Sequence, residues 1–236
     1  MPTAKGVRER ARAEITSEIV RAGRHQLATD GAAALSLRAV ARELGMVSSA
    51  VYRYVASRDE LLTLLIIEAY DALGAEVEQA AAPSAGRSPA ARFMAAGRAV
   101  RTWAVANPHQ YALLYGSPVP GYEAPQDTIG PASRVTLALV GIVADAHRDG
   151  LLETPAGVPA ELPAALRRDL AAVREAAGNE LPDDVIVAMI AAWTQLFGLV
   201  SFELFGQTRN VIFEHAELLD ATLATMAATI GLPSLP

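Results

Sequence analysis

The sequence predicts an all-α chain with a small N-terminal domain and a larger C-terminal domain, and three observations support this prediction. Apolar residues recur at helical spacing along most of the 236 residues, and no run of alternating β-branched residues is bounded by turns. Apolar residue types make up 52% of the chain, which is enough to build a sizeable core. The length exceeds the commonest domain size, so two domains are expected.

Four helices are predicted in the first third of the chain, at 7–29, 36–45, 48–55 and 59–79. The second begins at the capping residue Ser36, ends at a glycine and carries apolar residues at i, i+3, i+4 and i+7. Two short helices joined by a glycine-containing turn, behind a longer helix, describe a helix-turn-helix domain. We therefore expect a helix-turn-helix domain at 1–58 and a helical domain for ligand binding and dimerisation at 59–236.

The remaining sequence predicts further helices separated by breaks rich in proline and glycine. Ser88-Pro89 is typical of a helix start, with a capping serine followed by a first-turn proline. The expected breaks lie at 83–86, 107–108, 116–121 and 154–163, and the later helices at 131–149, 182–205 and 210–230.

The uncharged run 185–202 is long enough that a membrane span must be considered. Thr194, Gln195 and Ser201 interrupt it, acidic residues flank it, and no Lys/Arg cluster is present to set a topology. The basic start of the chain is not followed by an apolar run of signal-peptide length. We therefore expect a buried helix in a cytoplasmic protein, with no membrane association.

The composition argues against an enzyme. The chain has no cysteine, which excludes disulfides, thiolate zinc sites and cysteine nucleophiles. It contains no Gly-x-Ser-x-Gly motif and no phosphate-binding glycine loop, and its four histidines follow no metal-site spacing. No catalytic site, metal or cofactor is expected.

Charge is distributed unevenly along the chain. Residues 1–58 hold ten Lys/Arg and five Asp/Glu, a balance of +5 that leaves −11 for the rest of a chain whose total is −6. A basic head on an acidic body suits the binding of a polyanion such as DNA. A solvated helix surface of mixed charge is the alternative.

The stretch 35–61, LSLRAVARELGMVSSAVYRYVASRDEL, resembles the DNA-binding domain of the tetracycline-repressor-like (TetR) family. The match covers 19–62 without gaps, with Gly45 and Tyr52 in the family's register. The resemblance implies that 48–54 form the recognition helix of a dimeric repressor.

The residues expected to meet DNA combine small side chains, which allow close approach to the major groove, with hydroxyls and positive charges. Arg38 lies in the first turn of the second helix, where the family often places an arginine. Arg58 begins the fourth helix, where charge and free N–H groups together make an anion site. Tyr52 as a packing residue and Arg53 as a solvated charge are open alternatives. The expected set is Ser36, Arg38, Ser48, Ser49, Tyr52, Arg53, Tyr54 and Arg58.

Two positions depart from the family's pattern. Position 47, usually a capping Ser or Thr, is Val47 here, so Ser48 is expected to take over the cap and be less free to read a base. Position 50, often a phosphate-binding Thr, is Ala50, so one backbone contact is expected to be missing.

Two later segments, 107–116 and 193–198, resemble the C-terminal domain of one branch of the family, often called WHG, with Phe197 in place of the usual His. The helix 182–205 is apolar nearly all round, so one face is expected to meet its own core and another a second copy. With the terminal helix it would form the four-helix dimer interface that the resemblance implies. A fully intramolecular helix is the alternative. The apolar residues of the terminal helix are Leu218, Leu219, Leu223 and Met226.

A pocket for a small-molecule effector needs apolar walls and a few polar groups. Aromatic residues of the C-terminal domain could supply the walls, although aromatic residues at helical spacing are equally typical of a plain core. Arg101 and His109 are further polar candidates. The expected ligand-binding set is Trp103, Tyr111, Tyr115, His147, Met189, Trp193, Gln195 and Phe197.

Together these features predict a transcriptional repressor that binds a palindromic operator in double-stranded DNA as a homodimer and is released by a small molecule. An enzyme with a buried apolar pocket and a co-regulator without DNA binding are the alternatives. The first lacks the parts that catalysis needs, and Arg38, Tyr52 and Arg58 argue against the second.

Overall fold

The structure, a computed structural model, describes residues 4–83, 86–159, 161–178 and 180–233. The side chains of Ala4 and Lys5 lie outside it, as do Ser84, Ala85 and Ala160 in two of the predicted breaks. Throughout the described residues the regular structure is helical and no strand occurs, which confirms the all-α prediction. The helices are α1 (Ala4–Asp30), α2 (Leu37–Glu43), α3 (Ser48–Val51), α4 (Arg58–Ala81), α5 (Pro89–Ala106), α6 (Pro108–Tyr115), α7 (Ile129–Arg148), α8 (Ala164–Ala176), α9 (Asp183–Leu204) and α10 (His215–Ile230).

The chain forms two compact units. The first comprises Met1–Ala72 and Asn107–Ala132, and the second comprises Leu73–Ala106 and Ser133–Pro236. Helix α4 contributes residues to both. These units are defined by packing, whereas the boundary expected after Arg58 concerns function, and that boundary stays a prediction.

The first unit has its core where the first four helices meet. Val40 of α2, Val51 of α3 and Leu61 of α4 are fully enclosed there beside α1. The segment after α6 joins this core, because Tyr122 packs against it and its hydroxyl oxygen lies 2.9 Å from that of Thr63. The helix-turn-helix is therefore supported by a segment that follows it by about fifty residues.

Helix α4 begins with a reciprocal cap. The Glu60 N–H donates to the Ser57 Oγ at 3.0 Å, and the Glu60 carboxylate accepts from the Ala56 N–H at 2.6 Å. The start of α4, and with it Arg58, is fixed by local hydrogen bonds.

The second unit packs α5, α9 and α10 together. Leu196 and Leu223 are fully enclosed, and a Cβ at Gly97 would overlap the Leu223 side chain, so glycine allows α10 to approach α5 closely. Leu219, Leu223 and Met226 fill this core. These three side chains therefore do not form the predicted face toward a second copy.

Most predicted helix bounds agree with the structure within a few residues, and two do not. Helix α3 ends at Val51 instead of Val55, because a tighter turn follows in which the Tyr54 N–H donates to the Val51 carbonyl at 2.9 Å. Helix α10 begins at His215 instead of 210, because Asn210 takes a positive φ of 65° and turns the chain. The cap predicted at Ser88 is confirmed, since its Oγ accepts from the Ala91 N–H at 3.1 Å.

Helix α8 has no counterpart among the helices predicted from the sequence. Leu166, Leu170 and Val173 follow helical spacing, but only Leu170 is buried, so the apolar face of this helix is narrow.

Within the described residues two helical stretches, Gln126–Arg148 and Asp183–Leu204, have the length and composition of a membrane span. The core helix of a globular protein passes the same test, so this is weak evidence. Val185, Leu196 and Val200 of the second stretch are buried among neighbouring helices, as expected for the uncharged run.

Candidate nucleic-acid interface and effector cavity

Helices α2 and α3 present a short exposed surface, and the turn between them and the core beneath them fix its position. Helix α2 ends where Gly45 takes a positive φ of 64°. The Met46 N–H donates a hydrogen bond of 2.9 Å to the Ala41 carbonyl, which is the pattern of a Schellman motif. Val51 fixes α3 in the core, which leaves Ser49 exposed on the outer side.

The predicted DNA-contacting residues fall into two groups by exposure. Tyr52 follows α3 directly and is 44% exposed, so a large part of its side chain is open to solvent. The exposed group is Arg38, Ser49, Tyr52 and Arg53, and the half-buried group is Ser36, Ser48, Tyr54 and Arg58.

Neither half-buried serine caps its helix through its hydroxyl. Ser36 stands at the capping position of α2, but its contact is a backbone N–H that donates to the Gln26 Oε1 at 3.0 Å. The residue at the capping position of α3 is Val47, so the prediction that Ser48 takes over this cap is wrong. Ser48 is instead the first residue of α3.

The Arg58 guanidinium is already engaged within the first unit. Its Nη2 donates to the Ala32 carbonyl at 3.0 Å, and its Nη1 lies 3.4 Å from the Asp59 carboxylate. This cation ties the start of α4 to the 3-10 turn Ala32–Ala34.

An apolar cavity of about 330 Å³ lies in the second unit. Thr136 is the one polar side chain among the described residues that line it. At the edge of the cavity Trp193 is 39% exposed, and the centroid of its ring lies 5.5 Å from that of the Phe197 ring. The lining residues are Phe93, Thr136, Leu139, Val140, Val173, Ala177, Leu181, Ile186, Met189, Ile190, Trp193 and Ile230.

Two family models match the chain. The family described as "Bacterial regulatory proteins, tetR family" matches residues 19–65, and "Tetracyclin repressor-like, C-terminal domain" matches residues 93–226. The HTH-type transcriptional regulator Rv1816 of Mycobacterium tuberculosis is 46% identical over 228 residues, covering 96% of each chain. The chain belongs to the TetR family.

Solved structures agree with this membership. The regulatory protein SCO4313 superimposes on this TetR family chain with a TM-score of 0.76 at 33% identity, covering 93% of this chain and 98% of that one. The TetR family transcriptional regulator PfmR of Thermus thermophilus shares the fold, with a TM-score of 0.56 at 18% identity over 92% of this chain and 99% of that one. The resemblance seen in the sequence is confirmed, and this chain is a transcriptional regulator with a DNA-binding helix-turn-helix.

Three of the residues predicted to bind an effector in this TetR family regulator lie at or beside the cavity. Met189 and Trp193 line it, and Phe197 is buried against Trp193 one helical turn further along α9. The part of the wall that sequence analysis missed comes from α7, where Leu139 and Val140 follow Thr136. Their helical spacing predicts an apolar face, but it does not show that this face lines a cavity rather than a filled core.

The other predicted effector residues lie elsewhere. Tyr111 and Tyr115 belong to the first unit, where their ring centroids are 5.0 Å apart and burial raises the pKa of Tyr115. Trp103 is buried in α5, while His147 and Gln195 are exposed, and none of the three lines the cavity. No group of three or more His, Asp or Glu side chains among the described residues could hold a metal ion.

Proposed function

We propose that this TetR family regulator is a cytoplasmic repressor that binds a palindromic operator as a homodimer and is released from it by a small molecule. The surface of α2 and α3 carries the proposal, because Arg38, Tyr52 and Arg53 are exposed around the small Ser49 while Val51 is fully enclosed below. Small residues let a helix approach base edges closely, and exposed cations neutralise phosphate.

Each exposed residue then has a distinct part in DNA binding. Arg38 and Arg53 supply positive charge, and the Tyr52 hydroxyl donates to a phosphate or a base edge. Ser48 and Ser49, at the start of α3, lie nearest the bases, as in other recognition helices. Arg58 holds α4 in place, since its guanidinium is committed to the Ala32 carbonyl.

The cavity in the second unit is the proposed effector site, and its lining argues for an uncharged, apolar effector. A charged ligand would lose its hydration there without gaining an opposite charge, and that transfer is costly. Thr136 can supply one hydrogen bond for orientation. A volume of about 330 Å³ falls at the lower end of the range for small-molecule sites.

The outward faces of α9 and α10 support the proposed homodimer. Phe202 of α9 is an exposed apolar side chain, and the exposed positions of α10 include the small Ala221 and Ala224. Large side chains beside small ones allow two helix pairs to pack closely, and a symmetric dimer buries the same patch on both copies.

A mobility shift with the DNA upstream of the chain's own gene tests the proposed function. Wild-type protein should shift this duplex, and the shift should weaken with salt because phosphate contacts release counterions. Arg38→Ala should weaken binding by about tenfold or more, as expected for loss of a charge-assisted contact. Arg167→Ala, which removes an exposed arginine from α8, is the control and should bind like wild type. A wild-type protein that shifts no DNA at low salt would favour the co-regulator reading.

A further inference from the structure

A groove of about 420 Å³ in the first unit lies between the start of α1 and the residues that follow α3. Arg8, Ala11, Arg12 and Ile15 form its α1 side, and their spacing of i, i+3, i+4 and i+7 places them on one face of the helix. Arg53 and Tyr54 form the other side. We name this feature the arginine groove.

The groove concentrates positive charge on one surface. Within the described part of the chain, Arg8, Arg12 and Arg53 form no ion pair with a carboxylate, whereas Arg24 and Arg58 do. Three cations facing one concave surface favour an anion as its occupant.

A cation–π contact joins the two sides of the arginine groove. The guanidinium carbon of Arg12 lies 5.5 Å from the centre of the Tyr54 ring, close enough for attraction. A guanidinium also carries five N–H donors in one plane. A planar fork of donors matches the oxygens of a phosphate.

The position of the arginine groove beside α3 favours a DNA phosphate as the anion. Arg53 and Tyr54 lie two and three residues after the end of α3, so the groove adjoins the helix assigned to base reading. Arg8 and Arg12 precede residue 19, where the match to the family's DNA-binding domain begins. We propose that the arginine groove binds a backbone phosphate of the operator beside the bases read by α3, a contact additional to the helix-turn-helix. This proposal rests on the proposed function of operator binding.

Two double variants of equal charge test the groove. Arg8→Ala with Arg12→Ala removes its α1 cations, whereas Arg10→Ala with Arg21→Ala removes two cations about half a turn around the same helix. Fluorescence anisotropy follows binding to the upstream duplex and to a scrambled duplex of equal length across a salt series. The groove variant should bind both duplexes roughly tenfold more weakly than the control variant. Its slope of log affinity against log salt should be shallower by about one for each phosphate that the groove no longer binds.

The possible outcomes separate the groove from the function on which it rests. A groove variant that binds like the control variant overturns the groove, and so does a loss confined to the upstream duplex, because phosphate contacts carry no sequence information. A wild-type protein that binds neither duplex overturns the proposed function as well. Arg8→Lys with Arg12→Lys keeps the charge but loses the planar fork of donors, so it should recover only part of the affinity. An unchanged circular dichroism spectrum shows that each variant folds.

Discussion

At the scale of single residues, Tyr52 allows DNA contact to be separated from packing. Because its side chain is 44% exposed, its hydroxyl contributes little to the core. We expect Tyr52→Phe to change the free energy of unfolding by less than about 0.5 kcal/mol. Operator binding should weaken by about 1 kcal/mol, the usual net worth of a hydrogen bond. Thermal unfolding and an operator titration measure the two effects, and reduced stability with unchanged affinity would show that Tyr52 only packs.

The ion pair between Glu78 and Arg134 predicts a pH dependence of stability. Two hydrogen bonds of 2.8 and 2.6 Å join them, and the hydrogen bond from Arg134 holds the pKa of Glu78 below its ordinary value of 4.5. A carboxyl group with a lowered pKa in the folded state stabilises the fold above its unfolded pKa and loses this effect as the pH falls through the folded value. The stabilisation should therefore be complete at pH 7 and fade below about pH 4.5.

Glu78→Gln tests this dependence. Both partners are partly exposed, so the variant should lose roughly 0.5 kcal/mol of unfolding free energy at pH 7. The difference from wild type should shrink as the pH falls below 4.5, as followed by urea unfolding at successive pH values. Glu76→Gln, two residues earlier on α4, is the control. A difference that stays constant with pH would show that the carboxylate charge of Glu78 does not stabilise the fold.

Local sequence does not encode which partners the predicted contact residues take in the fold. Arg38 and Tyr52 are exposed, as a DNA-reading surface requires. Arg58 donates to Ala32, 26 residues earlier in the chain, and no local pattern encodes such a contact. The i, i+4 spacing of Arg8 and Arg12 is visible in the sequence, but their approach to Tyr54 depends on how α1 packs against the other helices.

At the scale of elements, α9 contributes Met189 to the wall of the cavity. Replacing this half-buried side chain with tryptophan should fill part of the roughly 330 Å³. We expect Met189→Trp to bind the neutral apolar dye N-phenyl-1-naphthylamine about tenfold more weakly, because an apolar ligand binds through the surface that it buries. Operator binding without ligand should persist, because the change lies in the second unit.

His147→Trp is the matched control for Met189→Trp, since it adds the same ring at an exposed position of α7 that does not line the cavity. Fluorescence titration of the dye compares the two variants. Equal dye affinity in Met189→Trp and wild type would show that the dye does not bind in the cavity. Loss of operator binding in Met189→Trp alone would assign Met189 to the fold.

Helix existence and helix ends were predictable where local chemistry sets them. Ser88 caps α5 and Gly45 ends α2 through hydrogen bonds within a few residues. Helix α8 buries little apart from Leu170, so its apolar pattern was too weak to mark it. The full wall of the cavity could not be predicted beyond Met189 and Trp193, because an unfilled space depends on how α7, α8 and α9 pack rather than on the pattern of any one helix.

At the scale of the whole molecule, the unequal charge was readable from the sequence, whereas the membership of the two units was not. Residues 1–58 carry +5 and the remainder −11, and no fold is needed to see this difference. The inclusion of Asn107–Ala132 in the first unit depends on tertiary packing, such as that of Tyr122 on the core beside α1. Homodimerisation stays a prediction, and it is the step on which palindromic recognition depends.

The exposed face of α9 provides the test of the homodimer. Phe202 is 54% exposed, and a symmetric interface would bury it on both copies, so Phe202→Glu would introduce two carboxylates into one apolar contact. Unpaired charge in such a contact is strongly unfavourable, so the variant should sediment near 24.8 kDa, while wild type sediments near twice this mass. Val105→Glu, at an apolar position of α5 that is 46% exposed, should leave the wild-type mass unchanged.

Because one protomer engages only one half-site, Phe202→Glu should also lose its preference for a palindromic operator over a single half-site. A Phe202→Glu protein that keeps both its dimer mass and this preference would place the interface on another face.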